Sequence, residues 1–291
     1  MVKAKKPPII RPVALTVYDH DRDAAGLRYV YPVVSRRAGG VSVGVNLNPN
    51  NACNWRCIYC QVPDLQRGAA PTIELPRLTA ELDGFLQELT QGDYLERNVP
   101  VEARRVVDVA LSGNGESTTA HPFDEIVSEI LRVTAAHLPD INKVLITNGS
   151  MMHRAPVQRG VAAIGDAGGE VWFKLDAGTA TMRARLNGAP STDETVRQNL
   201  RAAASRCRTR IQTCLIAVDG APLSAAEREA YVALLATELE AGTPIEDVLL
   251  YGMARPSLRE EARSLSRVGD DVLEAFAEQI RACGLAVVVR A

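Results

Sequence analysis

From Gly39 onward the chain alternates between short β-patterned runs and helical runs, and this alternation limits it to a small set of folds. In VSVGVNLN, Val41, Val43, Val45 and Leu47 alternate with Ser42, Gly44, Asn46 and Asn48, giving a strand with one apolar face and one small, polar face. RVVDVALSG (105–113), KVLIT (143–147), EVWFKLD (170–176), RIQTCLIAV (210–218), DVLLYG (247–252) and the closing LAVVVR read as further strands. Helices intervene. One runs from about Pro122 to Ala136, with Pro122 at its first position and Phe123, Ile126, Val127 and Ile130 on its apolar stripe. Others occupy about 155–166, follow the capping-box sequences Ser191–Glu194 and Ser224–Glu227, and cover 270–283. Strands separated by helices pair in parallel, because each helical crossover returns the chain to the same end of the sheet. The predicted class is α/β, and six or seven strands suit a doubly wound sheet or a complete or partial barrel. Residues 41–291 read as one domain with no linker-like break. Residues 1–40, punctuated by proline and arginine, read as an extended lead-in.

One cluster of side chains carries chemistry. Cys53-Asn-Trp-Arg-Cys57-Ile-Tyr-Cys60 places three of the six cysteines within eight residues, immediately after the first strand. Such crowding does not suit a disulfide framework, and nothing marks the chain as secreted: Pro7, Pro8 and Pro12 interrupt the apolar run a signal peptide needs. No stretch is apolar enough to span a membrane, so a cytoplasmic protein is expected. The net charge of −2 gives no global electrostatic case for nucleic acid; the basic clusters at Lys3–Lys6, Arg36–Arg37, Arg104–Arg105 and Arg206–Arg210 are ordinary solvated surface.

Thiolates are soft ligands for iron–sulfur clusters, and three of them on one loop can grip one cube by three corners. A cluster devoted to electron transfer takes four cysteines. Here the next, Cys207, lies far along the chain, so one iron is left for a ligand other than protein. A structural zinc is the competing reading, with His20 or His121 as a fourth ligand, but zinc sites pair two ligand couples and no second couple is evident. Cys207, Cys214 and Cys283 fall on separate late elements and read as core or surface thiols.

Further polar residues collect at strand ends, where α/β folds place their ligands. Gly113-Asn114-Gly115-Glu116 ends the second strand, and Thr147-Asn148-Gly149 the third. Taken alone, Gly113–Glu116 reads as a turn, but its place at a carboxyl strand end favours a site; Thr147–Gly149 could equally be an Asn-Gly turn. In EVWFKLD, Val171, Phe173 and Leu175 share one face while Trp172, Lys174 and Asp176 share the other. A doubly covered strand has reason to carry Lys and Asp inward only if they are partnered, which a polar lumen provides. Gln212 is a candidate by the same argument. His121 and His153 read as surface or capping residues.

The cysteine spacing after a first strand, with Tyr59 just before the last cysteine, resembles the radical S-adenosylmethionine (SAM) superfamily. That resemblance implies a partial (β/α)6 barrel, a [4Fe–4S] cluster on Cys53, Cys57 and Cys60, and SAM chelated by the open iron. It also implies reductive cleavage of SAM to a 5′-deoxyadenosyl radical that takes hydrogen from a substrate, with electrons from a flavodoxin- or ferredoxin-like donor. Gly113-Asn114-Gly115-Glu116 resembles the family's Gly-Gly-Glu element, with Ser117 where proline is frequent; it would place Glu116 by the SAM ammonium. Tyr59, Asn148, Lys174, Asp176 and Gln212 are then the further cofactor-binding candidates. The stretches YPVVSRRAGGVSVGVNLNPNNACNWRCIYCQ, SGNGESTTAHPF, ITNGS, FKLDAG and LLYGMARPS are similar to the wybutosine-synthesis-like Fe–S oxidoreductases, from about Tyr29 to the C-terminus. The tRNA-modifying member of that branch carries a second cluster on upstream cysteines, and this chain has no cysteine before Cys53. A single-cluster relative with another substrate is expected, whether RNA, peptide or small molecule. Two other roles stay open: activation of a partner protein by abstraction of a glycine hydrogen, and a non-catalytic Fe–S or RNA-binding module.

Overall fold

The computed structural model describes Ile10, Leu15 and residues 25–35 and 39–290. Lys3–Lys6, His20 and Arg36–Arg37 lie outside the described residues. In chain order the elements are β1 (Val30–Ser35), β2 (Gly40–Val45), the two-residue strands β3 (Ala52–Cys53) and β4 (Gln66–Arg67), α1 (Leu75–Gln91), α2 (Tyr94–Asn98), β5 (Val106–Leu111), α3 (Phe123–His137), β6 (Asn142–Thr147), α4 (Ala155–Asp166), β7 (Glu170–Lys174), α5 (Ala180–Asn187), α6 (Asp193–Ala204), β8 (Arg208–Val218), α7 (Ala225–Glu240), β9 (Ile245–Gly252), β10 (Leu265–Arg267), α8 (Asp270–Arg281) and β11 (Ala286–Arg290).

The main sheet runs β1-β2-β5-β6-β7-β8-β9-β11, with β10 added antiparallel to the end of β8. Every pairing from β2 to β11 along this path is parallel, and β1 alone lies antiparallel on β2. The order does not return from β11 to β1. The expected partial barrel of parallel strands is therefore the observed architecture.

Parallel register aligns one row of side chains across the sheet. Leu111, Leu145, Val171, Thr209 and Ile245 lie side by side, and the apolar faces of α1, α3, α4 and α8 cover their side of the sheet with Leu82, Phe85, Ile126, Ile130, Val161, Phe276 and Ile280, all buried. The opposite row is polar: Ser42, Asp108 and Asn142 are register partners, as are Lys174 and Gln212. One face thus drives folding while the other is kept for chemistry.

Several elements differ from the sequence expectation. Val30–Ser35 belongs to the sheet, and Tyr29 and Tyr31 are buried. VYPVVS lacks clean alternation, and Pro32 masks it further, yet proline is tolerated on an edge strand. α1, with Leu78, Leu82, Phe85, Leu86 and Leu89 buried, has helical spacing but falls between the predicted elements. α6 is capped one residue later than expected, by Thr192 accepting from the Thr195 amide, and Pro122 is the N-cap of α3 rather than its first residue. The Ser224 cap of α7 is as predicted, accepting from the Glu227 amide.

Candidate functional site

The tails of β2, β5, β6, β7, β8 and β9 converge at one end of the sheet, and the cysteine loop lies across them. Five asparagines among residues 46–54 build the junction. Asn46 Oδ1 accepts from the Asn48 and Asn114 amides at 3.0 and 3.1 Å, and Asn48 Nδ2 donates to the Ala52 carbonyl at 2.9 Å. Asn114 Nδ2 donates to Asn51 Oδ1, where Asn51 itself adopts φ 53°, a left-handed conformation asparagine tolerates. Asn54 links the loop to the β6 tail, donating to Ser150 Oγ at 2.7 Å and accepting from Asn148 Nδ2 at 2.9 Å. None of these loop asparagines is among the sequence-predicted site residues, although their density is visible in the sequence.

The packing explains Gly113 and Gly115. Gly113 has φ +150°, and a Cβ there would stand 2.3 Å from Asn46 Oδ1; a Cβ on Gly115 would stand 2.0 Å from the Ala52 carbonyl. Both glycines let the β5 tail touch the approach to Cys53. Glu116, buried, accepts four hydrogen bonds: Thr118 N at 3.1 Å and the Thr118 and Thr147 hydroxyls at 2.5 and 2.6 Å on Oε1, and Asn148 N at 2.7 Å on Oε2. Three of the four donors fall on Oε1 and one on Oε2, so Oε2 keeps acceptor capacity beyond its bond from Asn148. In this arrangement Glu116 ties the β5 tail to the β6 tail. Burial raises its pKa, and its four hydrogen bonds oppose the shift. The Asn148 side chain is likewise engaged, by Asn54 and Ser150.

Asp176 is the hub of the other half of the mouth. Its Oδ1 accepts from the Cys214 amide at 2.8 Å and lies 3.5 Å from Lys174 Nζ; its Oδ2 accepts from Tyr59 OH and, at 2.6 Å, from Asn187 Nδ2. Lys174 also donates to Tyr251 OH at 3.2 Å and stands 5.0 Å above the Tyr59 ring centroid. Burial alone would lower the Lys174 pKa, but Asp176, Tyr251 and Cys57 raise it, so the ammonium keeps its proton. Gln212, the register partner of Lys174, is buried and its carboxamide has no hydrogen-bond partner among the described residues. The structure therefore brings Tyr59, Lys174, Asp176 and Gln212 together, and Gly113–Glu116 with Asn148 on the neighbouring wall.

Cys53 and Cys57 are both shielded, and burial pushes their thiols up to about 12 and about 11. For Cys57, Lys174 and a hydrogen bond from Asn187 oppose the shift. Among the described residues no three His, Cys, Asp or Glu side chains converge on a single ion. Thiolates on a cube bind different irons and need not converge on one point. His121 and His153 are exposed, and Cys207 and Cys214 are buried in the core.

The loop is clamped from the far side by residues after β9, a role that Ala254-Arg255-Pro256 does not disclose as a sequence. Ser257 Oγ donates to the Ile58 carbonyl at 2.7 Å, and the Leu258 amide donates to the Cys60 carbonyl at 2.9 Å. Gln61 and Arg255 exchange two hydrogen bonds, and Arg56 pairs with Glu260 and Glu261. A cavity of about 380 Å³, lined by Asn54, Arg67, Thr119, Met151 and Arg154 among others, opens beside the loop. That is within the size range of small-molecule sites.

The donor set fits an iron–sulfur cluster with a bound sulfonium ligand: three thiols on one loop, a side-chain N–H aimed at one of them, and a charged lysine beside the same sulfur. Comparison with known proteins agrees. The family model of the Radical SAM superfamily matches residues 47–235. Two curated relatives are each 27% identical: the GTPase Obg of Brachyspira hyodysenteriae over 42% of this chain and 16% of its own, and a UPF0026 protein of Helicobacter pylori over 50% and 41%. The chain thus spans less than half the length of these relatives. Solved structures share the fold at low identity. A radical SAM methyltransferase from Sphaerobacter thermophilus has TM-score 0.59 and 14% identity over 90% of this chain and 68% of that one. A TYW1 structure with a lysine–pyruvate adduct has 0.52 and 17% over 84% and 74%, and a mutant spore photoproduct lyase 0.55 and 10% over 82% and 74%. The chain belongs to the radical SAM superfamily, whose cofactors are a [4Fe–4S] cluster and S-adenosylmethionine.

Proposed function

We propose that Cys53, Cys57 and Cys60 each hold one iron of the cluster, leaving the fourth for SAM. When bound, the pair supplies a 5′-deoxyadenosyl radical by one-electron cleavage of SAM, and that radical takes a hydrogen atom from a substrate in the lumen. The observation that carries this reading is the convergence of the three-cysteine loop with the Tyr59–Lys174–Asp176 hub at the carboxyl ends of parallel strands. Lys174 supplies fixed positive charge beside the cluster loop, and Gln212, one strand away, a carboxamide without a hydrogen-bond partner among the described residues. The Gly113–Glu116 wall forms the second side of the SAM site, with Glu116 holding Asn148 in place. The electron comes from a flavodoxin- or ferredoxin-like donor, and the reaction is of oxidoreductase or transferase type on an RNA-, peptide- or small-molecule substrate. No helix among the described residues is long and apolar enough to cross a membrane.

Pyruvate condensation of the kind implied by the adduct in TYW1 is not assigned to this chain. The two lysines among the described residues are Lys143 and Lys174. Lys174 is engaged by Asp176 and donates to Tyr251 OH, and Lys143 donates to the Pro139 carbonyl at the opposite end of β6. Nor does the GTPase named among the relatives have a counterpart here, since no lysine of this chain follows a glycine, as a phosphate-binding loop requires.

The test is anaerobic reconstitution followed by dithionite and SAM. About four irons per chain and release of 5′-deoxyadenosine are expected. An intact cluster that never yields 5′-deoxyadenosine contradicts the proposal. Continued release with added substrate marks turnover, whereas a single equivalent per partner marks activation of another protein.

A further inference from the structure

Asn187 belongs to none of the sequence motifs, yet it is fully buried against the middle cysteine. It is the last residue of α5, and the end of that helix grips the cysteine loop on both sides of Cys57. The Arg56 amide donates to the Asn187 carbonyl and the Ile58 amide to the Leu186 carbonyl, both at 2.9 Å. Between these bonds the Asn187 side chain reaches inward, its Nδ2 lying 3.4 Å from Cys57 Sγ, 3.2 Å from Tyr59 OH and 2.6 Å from Asp176 Oδ2.

The orientation of this carboxamide is set by its surroundings. Tyr59 gives its own proton to Asp176, so the phenol oxygen, the carboxylate and a thiolate at Cys57 can only accept. Turning the amide over would aim Oδ1 at three acceptors. Asn187 Oδ1 is sealed on the other side without a partner among the described residues, which costs free energy that the N–H contacts offset. Of the two N–H hydrogens, one is held by Asp176. The other is shared between Tyr59 and Cys57, and a metal-bound thiolate, being anionic, is the stronger acceptor of the two.

We infer that Asn187 is a positioning residue whose side-chain N–H donates to the Cys57 thiolate and raises the reduction potential of the cluster. The inference rests on the assignment of Cys57 as a cluster ligand. The cluster gains one electron from an external reductant and becomes more negative by one charge; an N–H donor to a ligand sulfur stabilises that added charge. Asn187 thereby joins the cluster thiolate to the hub that fixes Lys174, so the cluster and the cation beside it are set by one side chain.

The experiment is an EPR-monitored redox titration of the reconstituted full chain, with dithionite as reductant, for the wild type and for Asn187→Leu, which keeps the bulk and removes the donor. The expected result is a lower midpoint in N187L, with the ratio of reduced to oxidised cluster down about tenfold at a given potential, equivalent to 59 mV for one electron. An intact four-iron cluster with an unchanged midpoint overturns the inference while leaving the ligand assignment standing. Should N187L fail to assemble the cluster, the wild type carrying amide-15N asparagine decides: pulsed EPR of the reduced cluster is expected to show a nitrogen coupling, and its absence overturns the role. A wild type that binds no cluster overturns both this role and the assignment beneath it.

Discussion

Asp176 and Lys174 illustrate how much of the site depends on one charge. The Asp176 side chain is 0% exposed and that of Lys174 14%, so neither charge is stabilised chiefly by water. Replacing Asp176 by Asn keeps the shape but leaves a buried ammonium without its anion, and sets a second amide N–H2 against Asn187 and Tyr59. The expected loss is about 3–5 kcal/mol of stability, read from urea midpoints. Because Asp176 and its neighbours raise the Lys174 pKa, the pair's contribution is intact at neutral pH and is lost only as the pH rises through the elevated value. The D176N loss should therefore be flat from about pH 6 to about pH 9. A Lys174→Met, Asp176→Asn double variant should recover most of it, since the stranded charge is gone; no recovery would show that the hydrogen bonds of Asp176, rather than its pairing with Lys174, carry the stability.

A second residue sets a pH dependence from the other end of the lumen. Asp108 faces Ser42 between β2 and β5, and burial raises its pKa to about 6, with Glu170 contributing in the same direction and Ser42 opposing. The folded state thus prefers the protonated form. Its stabilising effect is complete below about pH 4 and disappears as the pH passes through about 6, a swing of roughly 3 kcal/mol. Asp108→Asn should match the wild type near pH 4 and exceed it at about pH 7.5 in urea midpoint. Parallel curves for the two proteins would rule out Asp108 as the titrating group.

At the scale of elements, the cysteine loop is a ligand-bearing segment held by three neighbours: the asparagine junction beneath it, α5 on one side and the post-β9 segment on the other. Ser257 is the simplest point at which to loosen it. Ser257→Ala removes the donor to the Ile58 carbonyl, worth about 1 kcal/mol, without touching a cysteine. Iron release to a chelator should quicken severalfold while the far-ultraviolet circular dichroism stays unchanged; an unaltered release rate would mean the segment does not hold the loop. These elements also show what the sequence discloses. The βα alternation and the cysteine spacing are local patterns, and EVWFKLD exposes its inward Lys and Asp by alternation alone. Asn187, Ser257 and the bonding of Glu116 to Thr147 and Asn148 depend on contacts between segments separated by up to 199 residues, which no local pattern encodes. β1 is illegible for another reason: strands buried on both faces lose the period-2 signal.

Across the whole molecule, the mouth is coupled to the edge of the sheet. β1 closes the open side of β2, an edge that would otherwise present unpaired backbone to other chains. Its entry is anchored by Glu81 of α1, which is buried and accepts from the Tyr29 amide at 2.8 Å and the Arg28 amide at 3.0 Å while pairing with Arg77. Its middle is tied to the site, since Tyr31 OH and Ser112 Oγ share a hydrogen bond at 2.8 Å just before Gly113. Glu81→Ala would leave two backbone donors without their acceptor, at about 1–3 kcal/mol each when sealed from water. If β1 is an integral part of the site wall, its amides from Val30 to Ser35 should exchange hydrogen at least about tenfold faster in E81A, and SAM affinity should fall although residue 81 lies on an outer helix. Faster exchange confined to β1, with SAM affinity unchanged, would separate the edge strand from the site and reduce it to a cover for β2.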